Sequence, residues 1–332
     1  MSDVLYLVGA TASGKKAIAA AIAPALTAEL ISLDSMKVYR GLERGTAKRE
    51  APALRLTDVV SAHEAFSAGA YVQVARRLVA EIAAAARQPL FVGGTGLYLH
   101  AMVRGLFEGP PVPAELRARI VARGAREGGG ALHAELRAAD PEAAARIHPH
   151  DLRRICRALE VFHATGEPIS RWQRRATAPP LPGRAAIVGI RWPDAVLRQR
   201  IERRVARMLE DGLIEEVAAL KEQRAIGPIA LAGIGYAETA SWLEEKSVDR
   251  AALAQRIARN TWRLSRKQAN WFRRFPEIRW IEPAAEADAA ALAERTLAAF
   301  AELRHRGGRP QPGAEGGADG DRQSFRLGSS QS

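Results

Sequence analysis

Stretches in which every position is apolar alternate along this chain with stretches in which apolar residues recur every third or fourth position. Val4-Leu5-Tyr6-Leu7-Val8 is the first continuous run, and its length suits a strand buried on both faces. Glu29-Leu30-Ile31-Ser32-Leu33 predicts a second strand ending at Asp34-Ser35, and Thr57-Asp58-Val59-Val60 a weaker third. Pro89-Leu90-Phe91-Val92 predicts a fourth, closed by Gly93-Gly94-Thr95-Gly96, and Ala186-Ile187-Val188-Gly189-Ile190 is the last clear one. Helical spacing fills Ala17 to Leu26, about Ala70 to Ala86, and the chain from Leu97 onward. Strands alternating with helices predict a parallel sheet covered on both faces, an α/β fold. Ligands in such sheets bind beyond the carboxyl ends of the strands. The segment Gly9 to Lys15, Asp34 and Gly93 to Thr95 all fall at that edge.

The rhythm changes between the fourth and fifth runs. From about Pro110 to Pro182 the pattern is helical and basic, with a Gly128-Gly129-Gly130 hinge. It restarts at Asp140-Pro141-Glu142, an N-cap followed by proline at the first helical position. An insertion of this length in a parallel sheet predicts a lid or a recognition subdomain. The expected division is a core at 1–109 and 183–303, an inserted subdomain at 110–182, and a tail at 304–332. Leu197 to Arg274 is helical again, broken by a glycine-containing loop at Gly227 to Gly235. From about Arg304 the chain is Gly, Pro, Arg, Ser and Gln with almost no apolar content, which predicts a disordered tail.

Composition adds constraints. The 332 residues suffice for one large domain or two smaller ones, and 47% of them are hydrophobic. No apolar run approaches a membrane span, and Met1-Ser2-Asp3 opens onto the first strand without a leader pattern, so no membrane role is expected. The one cysteine, Cys156, excludes an internal disulfide and a cysteine-built metal site, which suits the cytoplasm; in a helical pattern it reads as a buried structural thiol. The net charge of +12 is concentrated in Arg117 to Arg126, Arg153 to Arg157, Arg171 to Arg175 and Arg198 to Arg207. Clusters of one sign suit a polyanion such as nucleic acid, although arginines also solvate helix faces.

The chemistry begins at Gly9-Ala10-Thr11-Ala12-Ser13-Gly14-Lys15. Between a strand and a helix, this G-x-x-x-x-G-K spacing makes a phosphate cradle: the glycines permit a tight turn, backbone N–H groups point inward, and the lysine adds a mobile cation. A loop of this type takes Ser or Thr next, as a Mg²⁺ ligand; here the residue is Lys16, which leaves the metal ligand unknown. Arg200 and Arg204 share one helix face and could close over a diphosphate, or simply be solvated. Asp34, at a strand end, could be a general base, a Mg²⁺ ligand or a helix cap.

Several strings then resemble one family. They are residues 9–15, Asp34-Ser35-Met36-Lys37-Val38-Tyr39-Arg40-Gly41, Gly45-Thr46-Ala47-Lys48 and Val92-Gly93-Gly94-Thr95-Gly96-Leu97-Tyr98. Arg146-Ile147-His148-Pro149, Arg157 to Val161, Thr165-Gly166, Gly235-Tyr236, Lys267-Gln268 and Trp271-Phe272 continue the series in order, up to about residue 282. Together they are similar to the tRNA dimethylallyltransferases, the bacterial tRNA isopentenyltransferase family. The resemblance implies a P-loop NTPase-like parallel sheet flanked by helices, with an inserted all-helical tRNA-binding subdomain. It implies transfer of a dimethylallyl group from dimethylallyl diphosphate to N6 of the adenosine just 3′ of the anticodon, with Mg²⁺, by a monomer gripping the anticodon stem-loop. Gly9, Ala10, Thr11, Ala12, Ser13, Gly14, Lys15, Lys16 and Arg200 would bind the diphosphate. Asp34 would take the proton from the amine, with Thr11, Lys15 and Arg204 serving the leaving group. Asp34, Ser35, Met36, Lys37, Thr95, Arg117, Arg153, Arg154, Arg157, Gly235 and Tyr236 would contact the tRNA. A target base must leave its stack to reach such a site.

This chain departs from the family pattern at Lys16, Lys37, Ala232, Ala237 and Trp262, and Leu54 to Asp58 lacks paired histidines. These departures could mean altered metal dependence, looser tRNA choice or a weakened enzyme; the alternatives are a tRNA-binding homologue with weakened catalysis and a P-loop small-molecule kinase, against which Lys16 speaks.

Overall fold

The computed structural model describes residues 3–48, 52–107, 109–175, 177–178, 180–245, 249–284 and 287–306. In chain order the elements are β1 (Val4–Gly9), α1 (Lys15–Ile22), β2 (Ala28–Leu33), α2 (Ala68–Ala84), β3 (Gln88–Gly93), α3 (Gly96–Arg104) and β4 (Leu106–Phe107). There follow α4 (Ala114–Ala139), α5 (Pro141–Arg146), α6 (Leu152–Thr165), α7 (Ile169–Arg175), β5 (Thr177–Ala178) and β6 (Ala185–Ile190). The remainder comprises α8 (Asp194–Glu210), α9 (Leu213–Glu222), α10 (Pro228–Leu231), α11 (Tyr236–Glu244), α12 (Arg250–Phe272), β7 (Arg279–Ile281) and α13 (Ala289–Arg306).

Five parallel strands form one sheet in the order β2-β3-β1-β6-β7. The chain is therefore α/β, a parallel sheet flanked by helices. β1 sits at the centre, with Leu7 opposite both Val92 and Val188. All of β1 is buried, which is why its sequence is an unbroken apolar run rather than an alternating one. Gly93 ends β3 because nothing larger fits: a Cβ there would lie 2.1 Å from the Leu33 carbonyl oxygen of β2.

The expected strand at Thr57 to Val60 is not part of this sheet. Only isolated bridges form nearby, Ile31 with Arg55 and Tyr39 with Val60. Leu56 and Asp58 adopt positive φ, 60° and 55°, so the backbone turns where an extended run was expected. The sheet's fifth strand is instead β7, three residues on an edge, too short for a periodic signal. α1 stops at Ile22, short of the expected Leu26, because Pro24 follows its cap residue Ala23. The loop at Gly227 to Gly235 contains the short α10. The tail was expected from Arg304, but α13 runs on to Arg306; residues 307–332 lie outside the described residues.

The insertion has its own core. Ile120, Leu132, Leu136, Ile155, Leu159 and Val161 form a cluster separate from that of the sheet, and Cys156 is buried within it. Burial raises the pKa of that thiol, as suits a structural cysteine. Gly128 takes φ 81° and ψ 167°, kinking α4 at the expected hinge. Asp140 caps α5 by accepting from the Ala143 N–H at 2.9 Å. The two-residue β4–β5 ladder pairs the chain entering the insertion with the chain leaving it.

Candidate active site at the carboxyl edge of the sheet

Three strand ends meet at the carboxyl edge: β1 runs into the glycine loop, β3 into Gly94-Thr95, and β2 into Asp34. Gly9 has φ 151°, and a Cβ on it would sit 2.6 Å from the Ile190 carbonyl oxygen of β6. Gly14 has φ 84° and caps α1. Those two positions fold the loop back over the first helical turn. Lys15 is buried, and its ammonium donates to the Ala10 carbonyl at 2.5 Å and to Ser13 Oγ at 3.0 Å. Burial lowers the pKa of Lys15 to about 7; the Asp34 carboxylate opposes the shift, while Lys37, Arg204 and Arg200 add to it. Those interactions bring Asp34, Lys37, Arg200 and Arg204 into the electrostatic neighbourhood of the loop. The arrangement is electropositive and suited to an anion.

Arg200 grips the loop from α8. Its Nε donates to the Ala12 carbonyl at 2.9 Å, and its guanidinium lies 4.6 Å from the ring of Trp192. Trp192, just beyond β6, donates its indole N–H to the Ser13 carbonyl at 3.0 Å. A Cβ on Gly14 would approach Arg200 Nη2 to 2.9 Å. Thr11 is held from the other side: its N–H donates to Gln268 Oε1 on α12 at 2.9 Å. Neither Trp192 nor Gln268 was among the expected site residues. Trp192 follows a strand end, where ligands gather in such sheets, and Gln268 lies in one of the family strings without a role attached.

Asp34 is oriented by its own backbone. Its Oδ1 accepts from the N–H groups of Met36 at 2.8 Å and Lys37 at 3.3 Å, an Asx-type turn that fixes the carboxylate at the strand end. The Leu33 carbonyl accepts from Gly94 and Thr95, each at 3.2 Å, and Thr95 Oγ1 accepts from the Ser35 N–H at 3.1 Å. The ends of β2 and β3 are thus stitched together beside the loop. Met36 reaches the turn before α11, where a Cβ on Gly233 would lie 2.5 Å from its methyl carbon.

The other expected contact residues are placed less directly. Tyr236 is buried, with its hydroxyl donating to Glu216 Oε1 at 2.7 Å, so this side chain faces the protein and shapes the turn. Gly235 is also buried; φ 94° requires glycine there, and its N–H donates to Glu238 Oε2 at 2.7 Å. Arg117 and Arg157 belong to the insertion and share the buried Glu160 at 3.4 and 3.3 Å. Arg154 pairs with Asp151 at 3.3 Å, and Arg153 is exposed. Trp262 stacks beneath Arg198, 4.0 Å from its ring centre. Ala232 is exposed and Ala237 half-buried.

Lys16 does not present a metal ligand. Its ammonium donates to the Ala47 and Lys48 carbonyls at 3.3 and 3.2 Å. Ser13 Oγ already accepts from Lys15, and among the described residues no cluster of three His, Cys, Asp or Glu has metal-binding spacing. Position 16 therefore does not supply the hydroxyl that Mg²⁺ takes in loops of this type.

The IPP transferase family pattern matches residues 37–275 of this sequence. The chain belongs to the IPP transferase family. A tRNA dimethylallyltransferase of Methylococcus capsulatus is 41% identical over 295 residues, 85% of this chain and 93% of the relative. Another, from Rhodopseudomonas palustris, is 44% identical over 86% of this chain and 91% of its own length. Among solved structures, the full-length tRNA isopentenylpyrophosphate transferase of Bacillus halodurans superposes with a TM-score of 0.65 at 30% identity, covering 93% of this chain and all (100%) of that one. A eukaryotic dimethylallyltransferase acting on tRNA has a TM-score of 0.75 at 22% identity, over 95% of this chain and 82% of its own, and shares the fold. The family match begins at Lys37 and does not include the loop or Asp34.

Proposed function

We propose that this chain transfers the dimethylallyl group of dimethylallyl diphosphate to N6 of the adenosine just 3′ of the anticodon in tRNA, forming N6-isopentenyladenosine and diphosphate. The observation that carries the reading is the edge itself, in a chain of the IPP transferase family. A cationic phosphate loop at the end of β1 and an oriented carboxylate at the end of β2 flank the end of β3. The loop residues Thr11 to Lys15, with Arg200 and Arg204, hold the diphosphate, the Thr11 N–H itself being taken by Gln268 Oε1. They stabilise the charge that develops as its oxygen leaves C1 of the prenyl group with the bonding electrons. N6 forms the new bond to C1, and Asp34 accepts the proton that N6 gives up. Ser35, Met36 and Lys37 line the acceptor pocket, and Thr95 positions the Ser35 backbone at its wall.

The adenine enters extruded from its loop, because a stacked amine cannot reach an electrophile inside the protein. Arg117, Arg153, Arg154 and Arg157 place positive charge on the helical insertion, residues 110–182, where it meets the phosphates of the anticodon stem-loop. Tyr236 and Gly235 serve through the shape of their turn. A Mg²⁺ ion in this reaction would be held by diphosphate oxygens and water rather than by a loop hydroxyl, and no step above depends on it. The chain acts as a monomer in the cytoplasm; among the described residues no helix is long and apolar enough to cross a membrane. The test is mass analysis of nucleosides from unmodified tRNA incubated with the protein and dimethylallyl diphosphate. Isopentenyladenosine that disappears with Asp34→Asn supports the reading. A chain that binds tRNA yet forms no product under any condition refutes it in favour of a binding homologue.

A further inference from the structure

We infer that Lys16 acts as a tethered cation where loops of this type hold a divalent ion, so that this chain binds diphosphate without a metal. The inference rests on the loop being a diphosphate site, as proposed above.

Lys16 occupies the first turn of α1, the position from which a hydroxyl would reach Mg²⁺. Its ammonium is held by two backbone carbonyls, Ala47 at 3.3 Å and Lys48 at 3.2 Å. Carbonyl oxygens are the hard donors that cations take, and here they fix a monovalent charge in place beside the loop. The side chain of Lys48 does not compete for that place. Its own ammonium turns away, donating to the Tyr39 carbonyl at 2.8 Å and pairing with Glu43 at 3.2 Å and with Asp58.

The groups that would have to hold a metal are otherwise engaged. Ser13 Oγ takes the Lys15 ammonium, and Asp34 Oδ1 takes two backbone N–H groups. A divalent ion at the loop would also meet Arg200 and Arg204, whose positive charge already acts on Lys15 and is opposed there only in part by the Asp34 carboxylate. Arg200 and Arg204 already stand in the electrostatic neighbourhood of Lys15, and the Lys16 ammonium, tethered to the backbone at Ala47 and Lys48, adds a further positive charge from the first turn of α1.

Calorimetric titration of the purified protein with inorganic diphosphate, at matched free diphosphate in Mg²⁺ or in EDTA, tests this. For the unaltered chain the affinity is expected to differ by less than about threefold between the two conditions. For Lys16→Thr, Mg²⁺ is expected to raise it by about tenfold or more, because the hydroxyl restores the ligand. Lys16→Met, which lacks both charge and hydroxyl, is expected to bind about tenfold more weakly than the unaltered chain and to stay weak in Mg²⁺. Circular dichroism of each variant establishes that it is folded. Binding by the unaltered chain only in Mg²⁺, or equal binding by it and Lys16→Met, overturns the inference and leaves the loop a diphosphate site. Absence of binding in both conditions removes the diphosphate reading itself, and the inference with it.

Discussion

Lys15 makes the first prediction quantitative. Burial lowers its pKa to about 7 in the free protein, so near pH 8 only about one molecule in ten carries the charge. A bound diphosphate places negative charge against the ammonium and draws its pKa back toward the ordinary lysine value of about 10.4. Binding should therefore take up about 0.9 proton at Lys15 at pH 8, and only about 0.1 at pH 6. Above pH 7 this proton costs affinity about tenfold per pH unit, and below pH 7 the dependence flattens. The assay is titration calorimetry with inorganic diphosphate in buffers of different ionisation enthalpy, which counts protons directly. Diphosphate itself titrates near this range, so Lys15→Arg, charged at every pH used, serves as the reference. The difference between the two proteins isolates Lys15. Equal proton counts at pH 8 would mean that Lys15 is already charged in the free protein, and the account of its burial would be wrong.

The same burial predicts that Lys15 lowers stability. Between pH 7 and pH 10.5 the unfolded chain binds more protons at this site than the folded one, so stability rises with pH across that window. Lys15→Met should raise Tm at pH 6, by an amount on the order of a few kcal/mol in stability, with the gain shrinking toward pH 10 as activity stays abolished. Asp34→Asn should lower kcat by about 10²–10⁴-fold with little change in KM for the prenyl donor, measured by steady-state kinetics; a change confined to KM would remove Asp34 from the proton transfer. Arg153→Ala should weaken tRNA binding and reduce the slope of log affinity against log salt by about 1, and an unchanged slope would take that arginine off the RNA. Gly93→Ala should cost several kcal/mol, on the order of 3 or more, in chemical denaturation, since its Cβ would meet the Leu33 carbonyl oxygen at 2.1 Å.

How much of this was legible beforehand depended on the length of each signal. Val4–Gly9 and Ala185–Ile190 are buried on both faces, so their sequences are unbroken apolar runs that announce strands without neighbours in view. Arg279–Ile281 has three residues and an exposed end, so nothing periodic could mark it. Val59-Val60 looked like a strand because two apolar residues adjoin, but positive φ at Leu56 and Asp58 breaks the extension, and no side-chain pattern reports that. The placing of the loop and Asp34 at the sheet edge was readable because glycine spacing and strand ends constrain the backbone locally, while a role for Asp34 came only from the family resemblance. Gln268 was not assigned, because its bond to Thr11 spans 257 residues and exists only once α12 is packed. Tyr236 illustrates the converse: the family resemblance implied an RNA contact at this turn, and no sequence pattern reports that its hydroxyl is bound to Glu216 in the interior. Arg117 and Arg157 likewise looked like solvated charges or RNA ligands, and both share one buried carboxylate that sets their direction.

The central claim is that one edge of the sheet holds a diphosphate at Thr11 to Lys15 and an extruded adenine at Asp34. A crystal structure of the protein with inorganic diphosphate and an anticodon stem-loop RNA tests it most directly. The account predicts diphosphate oxygens on the loop N–H groups and Lys15, with N6 of the adenine just 3′ of the anticodon within hydrogen-bonding reach of the Asp34 carboxylate. Diphosphate bound away from the glycine loop, or that adenine still stacked in its RNA loop or seated beyond reach of Asp34, would contradict it.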